Sequence, residues 1–112
     1  MKTKGIDGIL IETHNWGGTV AFWSDLGYEL EFETDHNSGR LRHPLGGPYI
    51  FVAARPRAHS LQVILVLAVE DAEQFIPPQS GAVMSPFNRQ HWPALTMLIA
   101  DPDGRATGVE AS

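Results

Sequence analysis

Residues 95–111, LTMLIADPDGRATGVEA, restrict the fold more narrowly than any other part of this sequence. They open with an apolar run, 95–100, that is long enough for a strand covered on both faces. The DPDG sequence at 101–104 predicts a tight turn, because proline presets φ, aspartates accept hydrogen bonds from nearby backbone N–H groups, and glycine adopts the positive φ that closes the turn. Residues 105–111 are predicted to return as the second strand of a β-hairpin.

A similar pattern occurs upstream, where LRHPLG at 41–46 can be set beside IADPDG at 99–104. Each half of the chain has the order strand, helix, strand, turn, strand, turn, strand. This order predicts a duplicated βαβββ unit of about 55 residues. We therefore expect an α+β fold in a single domain, 1–112, with module one at about 5–55 and module two at about 60–112.

Hydrophobic periodicity places the individual elements. The alternation in 28–34 puts Tyr28, Leu30 and Phe32 on one face, and the nearly continuous apolar run 61–69 predicts a strand buried on both faces. Asn15 or Thr19 is expected to cap the helix. The expected strands are 8–13, 28–34, 40–42, 49–54, 61–69, 81–85, 95–100 and 105–111, with a helix at 19–26, at most a short helix at 70–75, and a loop at 86–93.

Composition excludes several classes of protein. The 112 residues contain no cysteine, so disulfides and thiolate sites are excluded. A formal charge of −5 argues against a nucleic-acid partner, which requires a basic surface. No apolar stretch approaches the length of a membrane span, and no signal peptide is recognisable, so we expect a cytoplasmic protein without a membrane partner.

Two motifs in this order resemble the vicinal oxygen chelate superfamily, also called the glyoxalase/bleomycin resistance protein/dioxygenase superfamily. AFWSDLGY at 21–28 is similar to the signature at the end of that family's first helix, and DPDG at 101–104 is similar to its last turn. The resemblance implies two βαβββ modules that form a curved mixed sheet around a pocket, and it implies a homodimer. It also implies, for the enzymes of the family, a divalent metal held by His, Glu or Gln from the first and last strand of each module.

The positions that correspond to those metal ligands are mostly unsuited to a metal. They fall near Gly8, near Phe51 or Ala53, near Ile64, and near Gly108. Gln62 shares the face of Ile64, and Glu110 follows Gly108 two residues later. A transition-metal site needs about three converging protein ligands. We therefore expect no metal and no other cofactor, with a divalent metal ion as the alternative.

A ligand pocket is the remaining expectation, because the strand faces opposite the helices combine apolar and aromatic residues with Glu12 and Glu110. Two carboxylates among aromatic rings would suit a hydrophobic or cationic ligand. The expected pocket residues are Leu10, Glu12, Phe32, Tyr49, Phe51, Ile64, Val66, His91, Trp92, Met97, Gly108 and Glu110.

The favoured hypothesis is a metal-free small-molecule-binding protein similar to bleomycin-resistance proteins, acting as a homodimer. An alternative is a metal-dependent lyase, isomerase or dioxygenase of the same superfamily whose relocated site uses Glu12, Glu110 and His91. A third possibility is a structural dimerisation module without a ligand.

Overall fold

A computed structural model describes residues 2–89 and 95–111, which belong to two compact units. The first unit is Gly8–Val63, and the second combines the N-terminal residues up to Asp7 with the chain from Ile64 onward. No helix within the described ranges has the length and apolar composition needed to cross a membrane. The elements are β1 (Ile6–Thr13), α1 (Trp16–Asp25), β2 (Glu29–Glu33), β3 (Ser38–Arg42), β4 (Tyr49–Ala54), β5 (Val63–Val69), β6 (Ala82–Arg89), β7 (Leu95–Ala100) and β8 (Ala106–Ala111).

The two units have the same strand order. In the first unit it is β2-β3-β4-β1, and in the second it is β6-β7-β8-β5. In each unit the first and fourth strands pair in parallel and the other pairs are antiparallel. The predicted α+β class and the internal repeat of strand order are therefore confirmed. The division of a single domain into modules at 5–55 and 60–112 stays a prediction.

The turns before β4 and β8 use the same hydrogen bonds. In HPLG the amide of Gly46 donates to the carbonyl of His43 (3.0 Å), and in DPDG the amide of Gly104 donates to the carbonyl of Asp101 (2.9 Å). Both glycines have positive φ, +99° and +83°. The side chain of the first residue mimics this bond in each turn: His43 Nδ1 accepts from Leu45 N, and Asp101 Oδ1 accepts from Asp103 N.

The helix α1 covers one face of the first unit's sheet. Asn15 is its N-cap, since its Oδ1 accepts from Gly18 N at 2.9 Å, and the helix therefore begins at Trp16, earlier than predicted. Its side chains and those of β1 pack on a core from β3 and β4, where Leu41 and Val52 are fully buried. The core and its packing partners are Leu41, Ile50 and Val52 with Ile9, Ile11, Trp16, Val20, Trp23 and Tyr28.

The second unit has a turn where a helix would complete its βαβββ pattern. Residues 72–74 form this turn, in which Asp71 Oδ1 accepts from Glu73 N (2.9 Å), and Pro77 and Pro78 prevent continuation as a helix. Ala72, Phe75 and Phe87 pack on the core formed by Val69, Met97, Ile99, Val109 and Ala111. Without a helix over this face, Leu65 stays 44% exposed, so the prediction that 61–69 is buried on both faces is wrong.

Two strands differ from their predicted pattern. A register shift between Leu30 and Phe32 breaks the alternation of β2, so that Leu30 pairs with Leu41 of the core while Phe32 pairs with Arg40 on the other face. The prediction that Tyr28, Leu30 and Phe32 share a face is therefore wrong. β6 extends to Arg89 into the expected loop, because Pro86 is tolerated on an edge strand whose register is already irregular.

The DPDG turn makes a testable contribution to stability. The backbone N–H of Arg105 donates to Asp101 Oδ1 (2.8 Å), and this bond is the main reason why the pKa of Asp101 is lowered. Desolvation opposes the shift, and hydrogen bonds from the Arg105 side chain and the Asp103 amide add to it. A carboxyl whose pKa is lower in the folded than in the unfolded state stabilises the fold above its unfolded pKa, about 4, and this contribution is lost as the pH falls through the folded value.

We therefore expect Asp101→Asn to lower the free energy of unfolding at pH 7, with the difference from the parent protein shrinking below about pH 4. Urea titrations between pH 2.5 and 7 measure it. Asp103→Asn is the matched control, since the Asp103 carboxylate accepts a bond from the exposed Arg105 side chain (2.9 Å) and from no backbone amide of the described residues, and it should contribute less. Equal losses in the two variants, or a loss that is independent of pH, would contradict this account.

Candidate functional site

The face of the first unit's sheet that α1 does not cover carries a cluster of aromatic and cationic side chains. β1 and β4 pair in parallel with Gly8 beside Tyr49 and Leu10 beside Phe51. Since Ile9 and Ile50 belong to the helix-covered core, these alternate residues lie on the other face. We call this surface the aromatic face and define it by Leu10, Phe32, Arg40, Arg42, Tyr49 and Phe51.

Tyr49 lies against the backbone of Gly8. A Cβ built on Gly8 would overlap the Tyr49 ring, and Tyr49 is only 2% exposed. The absence of a side chain at Gly8 is therefore what allows the ring to lie flat on β1. The resemblance places the family's first metal ligand near Gly8, and in this structure the Tyr49 ring of β4 covers that residue.

Arg40 places a guanidinium between two aromatic rings. Its Cζ lies 5.0 Å from the ring centroid of Tyr49 and 5.2 Å from that of Phe32. Arg42, two residues later on the same face of β3, lies 5.8 Å from the Tyr49 centroid. The rings of Phe32 and Phe51 are themselves 6.2 Å apart. These distances are in the range of cation–π contacts, so the chain's own cations already lie over the rings.

Glu31 neutralises part of this charge. It lies at the register shift of β2, and its carboxylate accepts from Arg40 Nε at 3.0 Å and approaches Arg42 Nε at 3.4 Å. Two guanidinium groups therefore share one carboxylate. Arg42 also donates to the carbonyl of Gly47 at the long distance of 3.5 Å. An open hollow of about 450 Å³ lies at the start of β2 and the end of β3. It is lined by Glu29, Leu30, Glu31, Arg42, His43, Pro44 and Gly46.

Glu12 has a structural partner for each carboxylate oxygen. Oε2 accepts from Arg55 Nε at 2.8 Å, and Oε1 accepts from the backbone N–H of Gln62 at 3.0 Å. The Glu12 side chain is only 13% exposed. These bonds fix the two ends of the 55–62 connection to β1. Glu12 is therefore a poor candidate for an acid–base group or for a ligand's counter-ion.

The predicted site residues of the second unit divide between two faces. Val66 pairs with Gly108 and Ala68 pairs with Glu110, and alternation places Ile64 on the same face. Met97, predicted to lie around the pocket, instead pairs with Val109 and packs in the core with Phe75 and Phe87, on the face opposite Gly108 and Glu110. His91 and Trp92, also predicted pocket residues, lie outside the described residues.

Sequence reasoning missed Arg40, Arg42 and Glu31. The signal for the two arginines was present, because they flank Leu41 in RLR and a strand directs alternate residues to one face. The signal for Glu31 was not, since it depends on the register shift beside it. Leu10, Phe32, Tyr49 and Phe51 were predicted, and the structure brings these four together with the missed residues.

The described residues do not fit a divalent metal site of the kind that the family's enzymes use. Gly8 has no side-chain ligand atom and is covered by the Tyr49 ring, while both carboxylate oxygens of Glu12 accept hydrogen bonds. Across residues 2–89 and 95–111, no three His, Cys, Asp or Glu side chains are grouped closely enough to hold a metal ion.

No protein-family model matches the sequence, and no curated protein matches it significantly. Among solved structures, the chain is similar to a glyoxalase/bleomycin resistance protein/dioxygenase superfamily member from Vibrio splendidus 12B01. The TM-score is 0.70 at 15% identity, over 94% of this chain and 97% of that one. The chain has the glyoxalase/bleomycin resistance protein/dioxygenase fold. The resemblance seen in the sequence is thereby confirmed at the level of the fold.

A second similar structure is named as an NAD-dependent benzaldehyde dehydrogenase from Legionella pneumophila, with a TM-score of 0.65 at 12% identity over 92% of this chain and 96% of that one. A bleomycin resistance determinant encoded on transposon Tn5 matches 91% of each chain at 17% identity, but its TM-score of 0.38 supports no argument. At these identities the comparisons establish the fold alone.

A substitution that adds one methyl group at Gly8 tests the contact between Gly8 and Tyr49. We expect Gly8→Ala to lower the free energy of unfolding by about 1–3 kcal/mol, because the new Cβ would displace the Tyr49 ring from a packed position. Chemical denaturation followed by circular dichroism measures the change.

Gly108→Ala is the matched control in the second unit. A Cβ there would meet its nearest atom, Val66 Cγ2, at 3.6 Å, an ordinary contact. Removing a strand glycine should then be neutral or stabilising by up to about 1 kcal/mol. If the two variants lost equal stability, the ring could not be the cause at Gly8.

Proposed function

We propose that this protein binds a small organic molecule on the aromatic face, without a metal ion. The observation that supports the proposal most directly is the filling of the metal-ligand position by Tyr49, with Arg40 and Phe32 beside it. Ligand sites are commonly built from apolar and aromatic surface with a few placed polar groups, and the aromatic face has that composition. Fold similarity to a superfamily that includes resistance proteins is consistent with binding without chemistry.

The hydrogen bonds of Glu12 argue against the alternative function, a metal-dependent enzyme with a relocated site. That site required Glu12 as an acid–base group or ligand, and Glu12 is instead paired with Arg55 and the Gln62 amide. Freeing the carboxylate would break its 2.8 Å bond from Arg55 Nε and its 3.0 Å bond from the Gln62 amide. The engagement of Glu12 also removes one of the two carboxylates on which a cationic ligand was expected to depend.

The test combines metal analysis with a ligand panel. Protein purified without chelators should contain no stoichiometric Zn, Ni, Mn or Fe. Ligand-observed NMR with small cationic, neutral and anionic aromatic molecules should identify at least one compound that binds with one site per chain. Stoichiometric metal, or a panel in which nothing binds, would overturn the proposal and favour a structural module.

A matched pair of variants locates the site. Phe32→Leu removes aromatic surface from the aromatic face and should weaken binding of a panel hit by about 2- to 10-fold. Phe22→Leu makes the same change on α1, where Phe22 is 58% exposed, and should leave affinity unchanged. Thermal melts verify that both variants fold. Equal affinities for the two variants would place the ligand elsewhere.

We further propose that the protein is a homodimer, as the resemblance to the superfamily implies, and that it is located in the cytoplasm. Sedimentation equilibrium of the full chain should give twice the chain mass. A single chain mass at micromolar concentration would overturn the dimer.

A further inference from the structure

We infer that the ligand of the aromatic face is a small organic anion with a planar apolar body, of the aromatic carboxylate class, and that Arg40 binds its carboxylate. This inference rests on the proposed function and assigns its ligand class. It replaces the hydrophobic or cationic ligand that the sequence suggested.

The hydrogen bonds of Arg40 support this assignment. Its Nε donates to Glu31, but neither of its terminal amino groups, Nη1 and Nη2, donates to any atom of residues 2–89 or 95–111. The side chain keeps 30% of its surface exposed. A guanidinium held at Nε presents its two remaining nitrogens as a donor pair that matches the two oxygens of a carboxylate.

The surroundings of Arg40 favour an anion with an apolar body. The rings of Tyr49 and Phe32 lie about the guanidinium at 5.0 and 5.2 Å, so part of its hydration shell is already replaced by aromatic surface. A charged hydrogen bond is stronger in such a partly desolvated environment than in water. Leu10 and Phe32 are only half-buried and leave apolar surface beside the donor pair for the ligand's ring.

The charges on the face are unfavourable for a cation. Two of the protein's eight basic residues lie two positions apart on β3, although the chain has a formal charge of −5. Glu31 is the carboxylate that forms ion pairs with both. Arg42 Nη1 already donates to the Gly47 carbonyl at 3.5 Å, whereas neither terminal nitrogen of Arg40 donates within the described residues. Arg40 is therefore the better anchor for an anion.

The experiment compares three probes of similar shape and different charge. Isothermal titration calorimetry measures 2-naphthoate, 2-naphthamide and 2-naphthamidine against the full chain at low and at physiological ionic strength. We expect 2-naphthoate to bind at least about 10-fold more tightly than 2-naphthamide, with a difference that narrows as salt is added. Tighter binding of the amide or of the amidine would overturn the anionic assignment while supporting the proposed function. Binding of none of the three would count against both.

Substitutions of Arg40 test whether this residue binds the carboxylate of the ligand. Arg40→Gln should reduce 2-naphthoate affinity by about 10-fold or more and leave 2-naphthamide affinity within about 2-fold, because only the charged interaction is removed. Arg40→Lys keeps the charge but loses the donor pair and should give an intermediate loss. Arg57→Gln removes the same charge from an exposed connection and should change neither affinity.

If Arg40→Gln does not fold, the comparison of probes on the parent protein still decides the ligand class. An Arg40→Gln variant that folds and keeps full 2-naphthoate affinity would exclude Arg40 as the anchor.

Discussion

The contact between Gly8 and Tyr49 determines what the first unit can present to solution. The parallel register of β1 and β4 sets the two residues side by side, and only glycine leaves room for the ring. The guanidinium groups of Arg40 and Arg42 lie over the Tyr49 ring. Both form ion pairs with the carboxylate of Glu31. Phe32 adds a second ring, which lies 5.2 Å from the Arg40 guanidinium and 6.2 Å from the Phe51 ring.

The duplication explains why so much of the fold can be predicted. The HPLG and DPDG turns share no side-chain chemistry at their first position, yet His43 Nδ1 and Asp101 Oδ1 accept the same backbone bond. A proline and a positive-φ glycine at equal spacing are enough to repeat the turn. Turn chemistry is local, so it can be read from the sequence, and the strands on either side of each turn follow from it.

The errors arise where a long-range contact overrides a local pattern. Simple alternation fails in β2, because the register shift beside Glu31 moves Phe32 to the face opposite Leu30. Met97, which the sequence places around the pocket, pairs with Val109 and lies in the core. Arg40 and Arg42 could have been found from the alternation of RLR, but their partners could not. The contact of these arginines with the Tyr49 ring depends on the register of β3 against β4 and on the space that Gly8 leaves for the ring, which the local pattern of β3 does not determine.

The difference between the units follows from one missing helix. In the first unit α1 covers the face that carries Ile9 and Ile50, which leaves the opposite face as the one where side chains can meet a ligand. In the second unit only Ala72, Phe75 and Phe87 supplement the equivalent core, and Leu65 remains exposed there. The first unit thus combines a well-covered core with a cationic aromatic face. The Tyr49 ring, 2% exposed, fills the space above Gly8, so this part of the face is occupied by packed aromatic surface.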